Sequence, residues 1–178
     1  MPITASDIQF RLSVKTGSAG DTTAGTPAGS LGKYASTTQV GAAINDLFDD
    51  VSGDENAASD VEYRCIFVYN AHATLTLLGT VVWLSAEVGG GTTIAIAVDG
   101  VAASDIDAAP AQADEVANEN TAPSGESFSA PTTKGTGLSI GDLAPDQVRA
   151  IWIRRTAANT GAVNNDGATI RVEGDTLA

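Results

Sequence analysis

Gln147-Val148-Arg149-Ala150-Ile151-Trp152-Ile153-Arg154-Arg155-Thr156 is the stretch that decides the fold. Val148, Ala150, Trp152 and Arg154 fall on one side of an extended chain, and Arg149, Ile151, Ile153 and Arg155 on the other. The β-branched and aromatic content makes this a strong strand. Tyr63 to Asn70 reads the same way, with Cys65, Phe67 and Tyr69 opposite Arg64, Ile66 and Val68. With both of its faces largely apolar, Tyr63 to Asn70 reads as a central strand.

Working outward, Ile8, Phe10, Leu12 and Val14 alternate with Gln9, Arg11, Ser13 and Lys15, which gives a strand with one wet face. Thr74 to Ala86 is a further strand, and Gly79 in its middle predicts a bulge. Thr93 to Asp99 presents Ile94, Ile96 and Val98 on one side. Short strands are expected near Ser127–Ala130 and Thr136–Ile140, and Ala168–Glu173 closes the series with Ile170 and Val172 inward. Turns fall at Asn70–Ala73, Gly89–Gly91, Leu143–Asp146 and Asn159–Gly167. Seven or eight short strands at this spacing predict an all-β fold, an antiparallel β-sandwich, jelly-roll-like or Ig-like. No strand–helix rhythm suggests a parallel sheet.

Three segments lie outside that pattern. Residues 16–33 are rich in Gly, Ser, Thr and Ala and read as a loop or an extended arm. Residues 36–51 place Val40, Ile44, Leu47, Phe48 and Val51 at helical spacing, with Ser36 and Gln39 at capping-box spacing. Gly41 opposes a helix there, leaving a short helix or a strand-like crossover. Residues 99–126 carry seven acids and no Lys or Arg, and so make a long acidic loop, of a length often functional. The 178 residues suit one sandwich domain, with residues 1–35 as a possible N-terminal strand and arm. Strand 8–14 either completes its own sandwich or, leashed by 16–33, pairs at the edge of another subunit.

Charge and rare residues narrow the chemistry. Nine Lys and Arg against 22 Asp and Glu leave a net charge of −13, so a nucleic-acid partner is not expected. A single cysteine, Cys65, allows no internal disulfide and no Cys-based zinc site. A single histidine, His72, excludes His-pair metal motifs. No apolar run approaches membrane-spanning length, and Met1 to Asp7 lacks the charged and apolar regions of a signal peptide. A chain made in a reducing cytoplasm, with no membrane partner and no cofactor, is the expectation.

Gly137-Leu138-Ser139-Ile140-Gly141 satisfies G-x-S-x-G, but Pro145 and another strand follow where a nucleophile elbow needs a helix. His72 also precedes the serine, whereas in the hydrolase fold it comes last. A strand ending in a Gly turn is the better reading, and no enzymatic activity is expected. The acids at 46–62 could hold Ca²⁺, with Asp49, Asp50 and Asp54 as the candidates. They miss the EF-hand pattern, since Glu55 stands at its sixth position and Val61 at its twelfth, so a solvated loop is the simpler account. Six of the nine basic residues are arginines on expected strands: Arg11, Arg64, Arg149, Arg154, Arg155 and Arg171. Phe10, Arg11, Lys15, Arg149, Arg154 and Arg155 are the candidates for an interface, the alternative being cross-strand pairing within the chain.

Three groups of residues also carry a resemblance. They are Asn45-Asp46-Leu47-Phe48-Asp49-Asp50-Val51, then Glu62 to Val68 with Asn70-Ala71-His72-Ala73-Thr74-Leu75, then Leu143 to Gln147 with Ala150 to Arg155. Together they resemble tailed-bacteriophage virion structural proteins of the head decoration, or cement, type, over roughly residues 45–175. The resemblance implies a non-enzymatic β-sandwich added in many copies to the outside of a capsid. It implies the major capsid protein as partner, a homo-oligomer (dimer or trimer), and residence in the virion. A tail, baseplate or fibre component is the alternative, and a Ca- or carbohydrate-binding β-sandwich module is a further one.

Overall fold

The computed structural model describes residues 2–20, 22–43, 45–108 and 110–176. Two antiparallel sheets face each other. The larger runs in the order β2 (Tyr34–Gln39), β1 (Ile8–Val14), β3 (Val61–Asn70), β8 (Gln147–Thr156), β5 (Thr93–Val98). The two-residue β6 (Ser104–Asp105) continues the β5 edge along β8. The smaller sheet runs β7 (Leu138–Leu143), β4 (Leu77–Glu87), β9 (Ala168–Asp175). Among the described residues the one α-helix, α1 (Gly53–Ala58), lies between β2 and β3. This is an all-β sandwich with one short helix.

β3 and β8 pair along nearly their whole length, from Val61 opposite Thr156 to Tyr69 opposite Val148. Their alternation feeds two separate cores. Ile66, Val68, Ile151 and Ile153 point between the sheets, where they meet Leu12, Val82, Leu84, Ile96 and Leu143. Cys65, Phe67, Tyr69, Val148, Ala150 and Trp152 point the other way and meet Leu31, Ala113 and Val116. The second core contains no third sheet. Loop residues from 16–33 and 99–130 lie over the outer face of the larger sheet and form its cover.

Of the two readings of 16–33, a loop or an extended arm, the described residues there form a loop held on the domain. Its backbone is bound into the domain: Gly20 N–H reaches the Ile106 carbonyl at 2.9 Å, and the Ser30 carbonyl accepts from Cys65 N–H at 2.8 Å. Gly32 has φ +96°, and a Cβ there would lie 1.8 Å from the Asp114 carbonyl oxygen, so only glycine fits this crossing of two loops. Strand 8–14 completes its own sandwich, hydrogen-bonded to β2 on one side and β3 on the other.

Residues 36–51 also differ from expectation. Tyr34–Gln39 is a strand on β1, and residues 40–52 are irregular, with Val40, Leu47 and Phe48 packed against the core between the sheets. Ile44 lies outside the described residues. The helix begins at Gly53, inside the stretch read as an acidic turn. Ser52 caps it: its Oγ accepts from Glu55 N–H at 3.3 Å while Glu55 Oε2 accepts from Ser52 N–H at 2.6 Å. Near Ser127–Ala130 there is only a single bridge, between Ser129 and Ile96. The bulge expected at Gly79 is present: its φ is +55° and the registers of β4 shift between Leu77 and Thr80.

Trp152 is the largest wholly buried side chain, so Trp152→Ala should cost about 3–5 kcal/mol. Trp152→Phe keeps an aromatic ring of smaller volume but removes the indole N–H, and should cost about 1.5–3 kcal/mol, chiefly because the Asp99 carboxylate loses its donor. Urea denaturation checks both. An unchanged midpoint in Trp152→Ala would be incompatible with this core.

Candidate functional site

Two clusters fasten irregular chain to the sheets, and they take in Asp49, Arg149 and Arg155 of the candidates singled out in the sequence.

The first lies at one end of β3 and β8. Arg64 and Arg155 stand on the same side of these neighbouring strands and extend beyond the apolar core. The irregular 40–52 segment places Phe48 against both guanidiniums, 5.2 Å from that of Arg64 and 4.8 Å from that of Arg155. Arg155 Nε donates to Glu62 Oε2 at 2.6 Å, and its terminal nitrogens reach the carbonyl and the carboxylate of Asp49. Arg64 donates to the Leu47 carbonyl at 3.2 Å and to Glu119 Oε2 at 2.5 Å. Arg155 and Glu62 are 7% and 5% exposed, so this is a buried ion pair. Burial pushes the Glu62 carboxyl up, and Arg155 opposes that shift. Such a pair adds little net stability but is costly to break.

The second cluster lies on the outer face of the larger sheet. Asp99 is 1% exposed. Its Oδ2 accepts from Trp152 Nε1 at 2.7 Å and from Asp114 N–H at 3.0 Å, and its Oδ1 accepts from Val101 N–H at 2.8 Å. Glu126 Oε1 accepts from Gly100 N–H at 2.8 Å. Carboxylate oxygens of Asp99, Asp114 and Glu126 lie within 4.8 Å of one another. Burial, with the Asp99 charge beside them, raises the pKa of both Asp114 and Glu126. Arg149 stands close by: its terminal nitrogens donate to the carbonyls of Asp99 and Val101, while its buried Nε has no partner. Burial pulls the Arg149 pKa down, against the pull of Asp99 and Glu126. Gln112, 2% exposed, completes the layer by accepting from Ala35 N–H and donating to the carbonyls of Asp105 and Ile106.

Several expectations change here. Asp49, Asp50 and Asp54 do not form a metal-binding group. Asp49 serves Arg155, Asp50 is exposed, and Asp54 is exposed in the first turn of α1. Among the described residues, the one group of three with metal-ligand spacing is Asp99, Asp114 and Glu126. Oxygen ligands suit a hard cation, although Asp99 already receives three hydrogen bonds.

The interface candidates are held within the chain. Phe10 is half-buried against the core between the sheets. Arg11 lies over the Tyr69 ring, 4.4 Å from its centroid. Lys15 donates to the Val116 carbonyl at 2.8 Å. Arg154 lies over Phe128, 5.1 Å from its centroid, and Phe128 in turn meets Tyr63 edge-on. Arg149 and Arg155 bond the loops as described. In each case the cation fixes a loop or a neighbouring strand.

Ser139 is exposed in the middle of β7, paired opposite Val81, and no helix follows it. His72 Nδ1 accepts from the backbone N–H groups of Thr74 and Leu75 at 3.2 and 3.0 Å, which fixes the turn after β3. Cys65 is wholly buried, and its thiol is pushed up chiefly by desolvation, away from thiolate chemistry. No described helix is long and apolar enough to cross a membrane. Comparison with family models, curated proteins and solved structures finds no match to this chain.

Two predictions follow from the clusters. Arg155→Ala strands the Glu62 carboxylate and should cost about 3–5 kcal/mol. Adding Glu62→Met should recover part of that loss, and limited proteolysis should cut first at 45–51 in the single variant. Equal stability of single and double variants would contradict the pairing. The pH prediction concerns Asp114 and Glu126, whose ordinary values are 3.8 and 4.5. Below those values the folded and unfolded chains are both protonated. As pH rises, the unfolded chain releases these protons first, so stability falls until the folded state ionises as well. The gain in Tm of Asp114→Asn or Glu126→Gln over the parent should therefore be near zero at about pH 3 and grow to a plateau above the raised values. Thermal melts across pH check the sign, and a gap largest in acid would refute it.

Proposed function

We propose that this chain is a non-enzymatic structural protein of a phage virion, a decoration protein that binds the outside of the capsid and stabilises it. The observation that carries the reading is where the resemblance-bearing residues sit. Leu47, Phe48 and Asp49 pack on Arg64 and Arg155, Glu62 binds Arg155, and Ala150 to Ile153 form the middle of both cores. The residues that carry the resemblance therefore lie in what fastens the loops to the sheets. A cement subunit needs that property, since a loop already ordered loses less entropy on binding a lattice. The partner in this reading is the major capsid protein, with the subunit added as a homo-oligomer.

Quantitative mass spectrometry of purified particles tests the proposal. Decoration predicts copies comparable in number to the capsomers. A few to a few dozen copies per particle would place the chain in the tail, baseplate or fibre instead. Absence from particles would overturn both readings.

A further inference from the structure

The sheet edges differ in how they are protected. β2 is covered by residues 23–25: the Thr23 carbonyl accepts from Thr37 N–H at 3.0 Å, and Gly25 N–H donates to Thr38 Oγ1 at 3.1 Å. β5 is capped by Ser129, which exchanges both backbone hydrogen bonds with Ile96 at 2.8 and 3.0 Å. β7 is interrupted by Gly141 at φ +81° and by register shifts against β4. β9 also shifts register against β4, between Leu78 and Val81 and between Leu84 and Ala86, but among the described residues it has no covering segment and no glycine at positive φ. It has eight residues without proline, is regular against β4 from Glu173 to Ile170, and ends the smaller sheet. Among the described residues no strand or bridge takes its outer edge. An edge of this kind accepts another strand. Beside it a groove of ≈ 330 Å³ opens between the sheets, with Ile3, Ile8, Phe10, Ile170 and Val172 in its walls.

We propose that the occupant is a second copy of this chain, with β9 pairing antiparallel to β9 and Val172 opposite Val172 about a twofold axis. The sequence of β9 selects that register. Ile170 and Val172 stay on the inner face of both sheets only if residues of like parity oppose each other. Centred on Val172, the pairing sets Arg171 opposite the second copy's Glu173, and the symmetry repeats that pair. Centred on Arg171 it would oppose two arginines, and centred on Glu173 two glutamates. Opposite charges directly across a strand pair stabilise it, and like charges destabilise it. Arg171 and Glu173 are both exposed, and Glu173 Oε1 already accepts from Lys134 Nζ of its own chain at 2.5 Å, so the second copy's Arg171 joins that pair from the open side without rearrangement of the core. Val172 meeting its copy extends the apolar wall of the groove across the interface. Such a dimer would supply the oligomer of the decoration reading, but it rests on the β9 edge and not on that reading.

The test is sedimentation of the isolated full chain at about 1–100 μM, the range that reads a micromolar Kd. The parent should form a dimer. Arg171→Glu and Glu173→Arg should each weaken it about tenfold or more, because each replaces two ion pairs with two repulsions. The exchanged variant carrying both changes, with Lys134→Glu to keep the pair that Lys134 makes with position 173 in the parent, should restore it. Hydrogen exchange should show β9 amides slowing as concentration rises. A monomeric parent, a dimer indifferent to the single reversals, or an exchanged variant that stays monomeric while folded by circular dichroism would each overturn the proposal. None of these outcomes bears on copy number in particles, so this inference and the decoration reading fail separately.

Discussion

The larger sheet is apolar on both faces, and one smaller sheet can cover only one of them. The loops that cross its outer face answer to that constraint. Phe67 and Trp152 face away from the sandwich, and if left wet they would form a large exposed apolar patch. The chain covers them with loops. Loops bring backbone N–H and C=O groups that a buried position must satisfy. The buried polar side chains supply the partners: Ser13 for Gly32, Gln112 for Ala35 and the 105–106 carbonyls, Asp99 for Val101 and Asp114. The long segments are ordered because each crosses the sheet over a prepared acceptor or donor.

The same constraint explains why the strands were legible and the loops were not. Period-two alternation in β1, β3, β8 and β9 is a local signal, and Gly79 marks its bulge locally too. β2 escaped because Tyr34-Ala35-Ser36-Thr37-Thr38-Gln39 has almost no apolar bulk. It is a strand because β1 offers it a ladder, which is a tertiary effect. The helical spacing of Val40, Leu47 and Phe48 was real burial without a helix, produced by an irregular segment packed on the end of the sandwich. Ser52 and Glu55 did carry the capping-box signature of the true helix, and the surrounding acids hid it.

The site was less legible still. Asp99, Asp114 and Glu126 are far apart in sequence, at no spacing that chemistry would select, and they meet only because the acidic segment folds back over Trp152. The Ala content that made 99–126 look unstructured is what lets it lie close on the sheet, as Ala113 and Val116 do. The strand arginines were visible, but their direction was not. Sequence places a side chain on a face and leaves open whether a loop of the same chain or another molecule covers that face.

That direction matters for how the protein meets others. Arg64 and Arg155 are buried, and Arg149 and Arg154 are directed at loops or rings of their own chain. The acids mostly remain on loops at the surface. Buried Glu62 and Asp99 offset the two buried arginines, so the exterior carries the acidic excess that the net charge of −13 conveys, and general repulsion between copies disfavours contacts made without specific geometry. Association then requires a place where a cation is presented in a fixed register beside an acid and an open backbone edge. β9, with Arg171 and Glu173 exposed two residues apart on one face, meets that requirement.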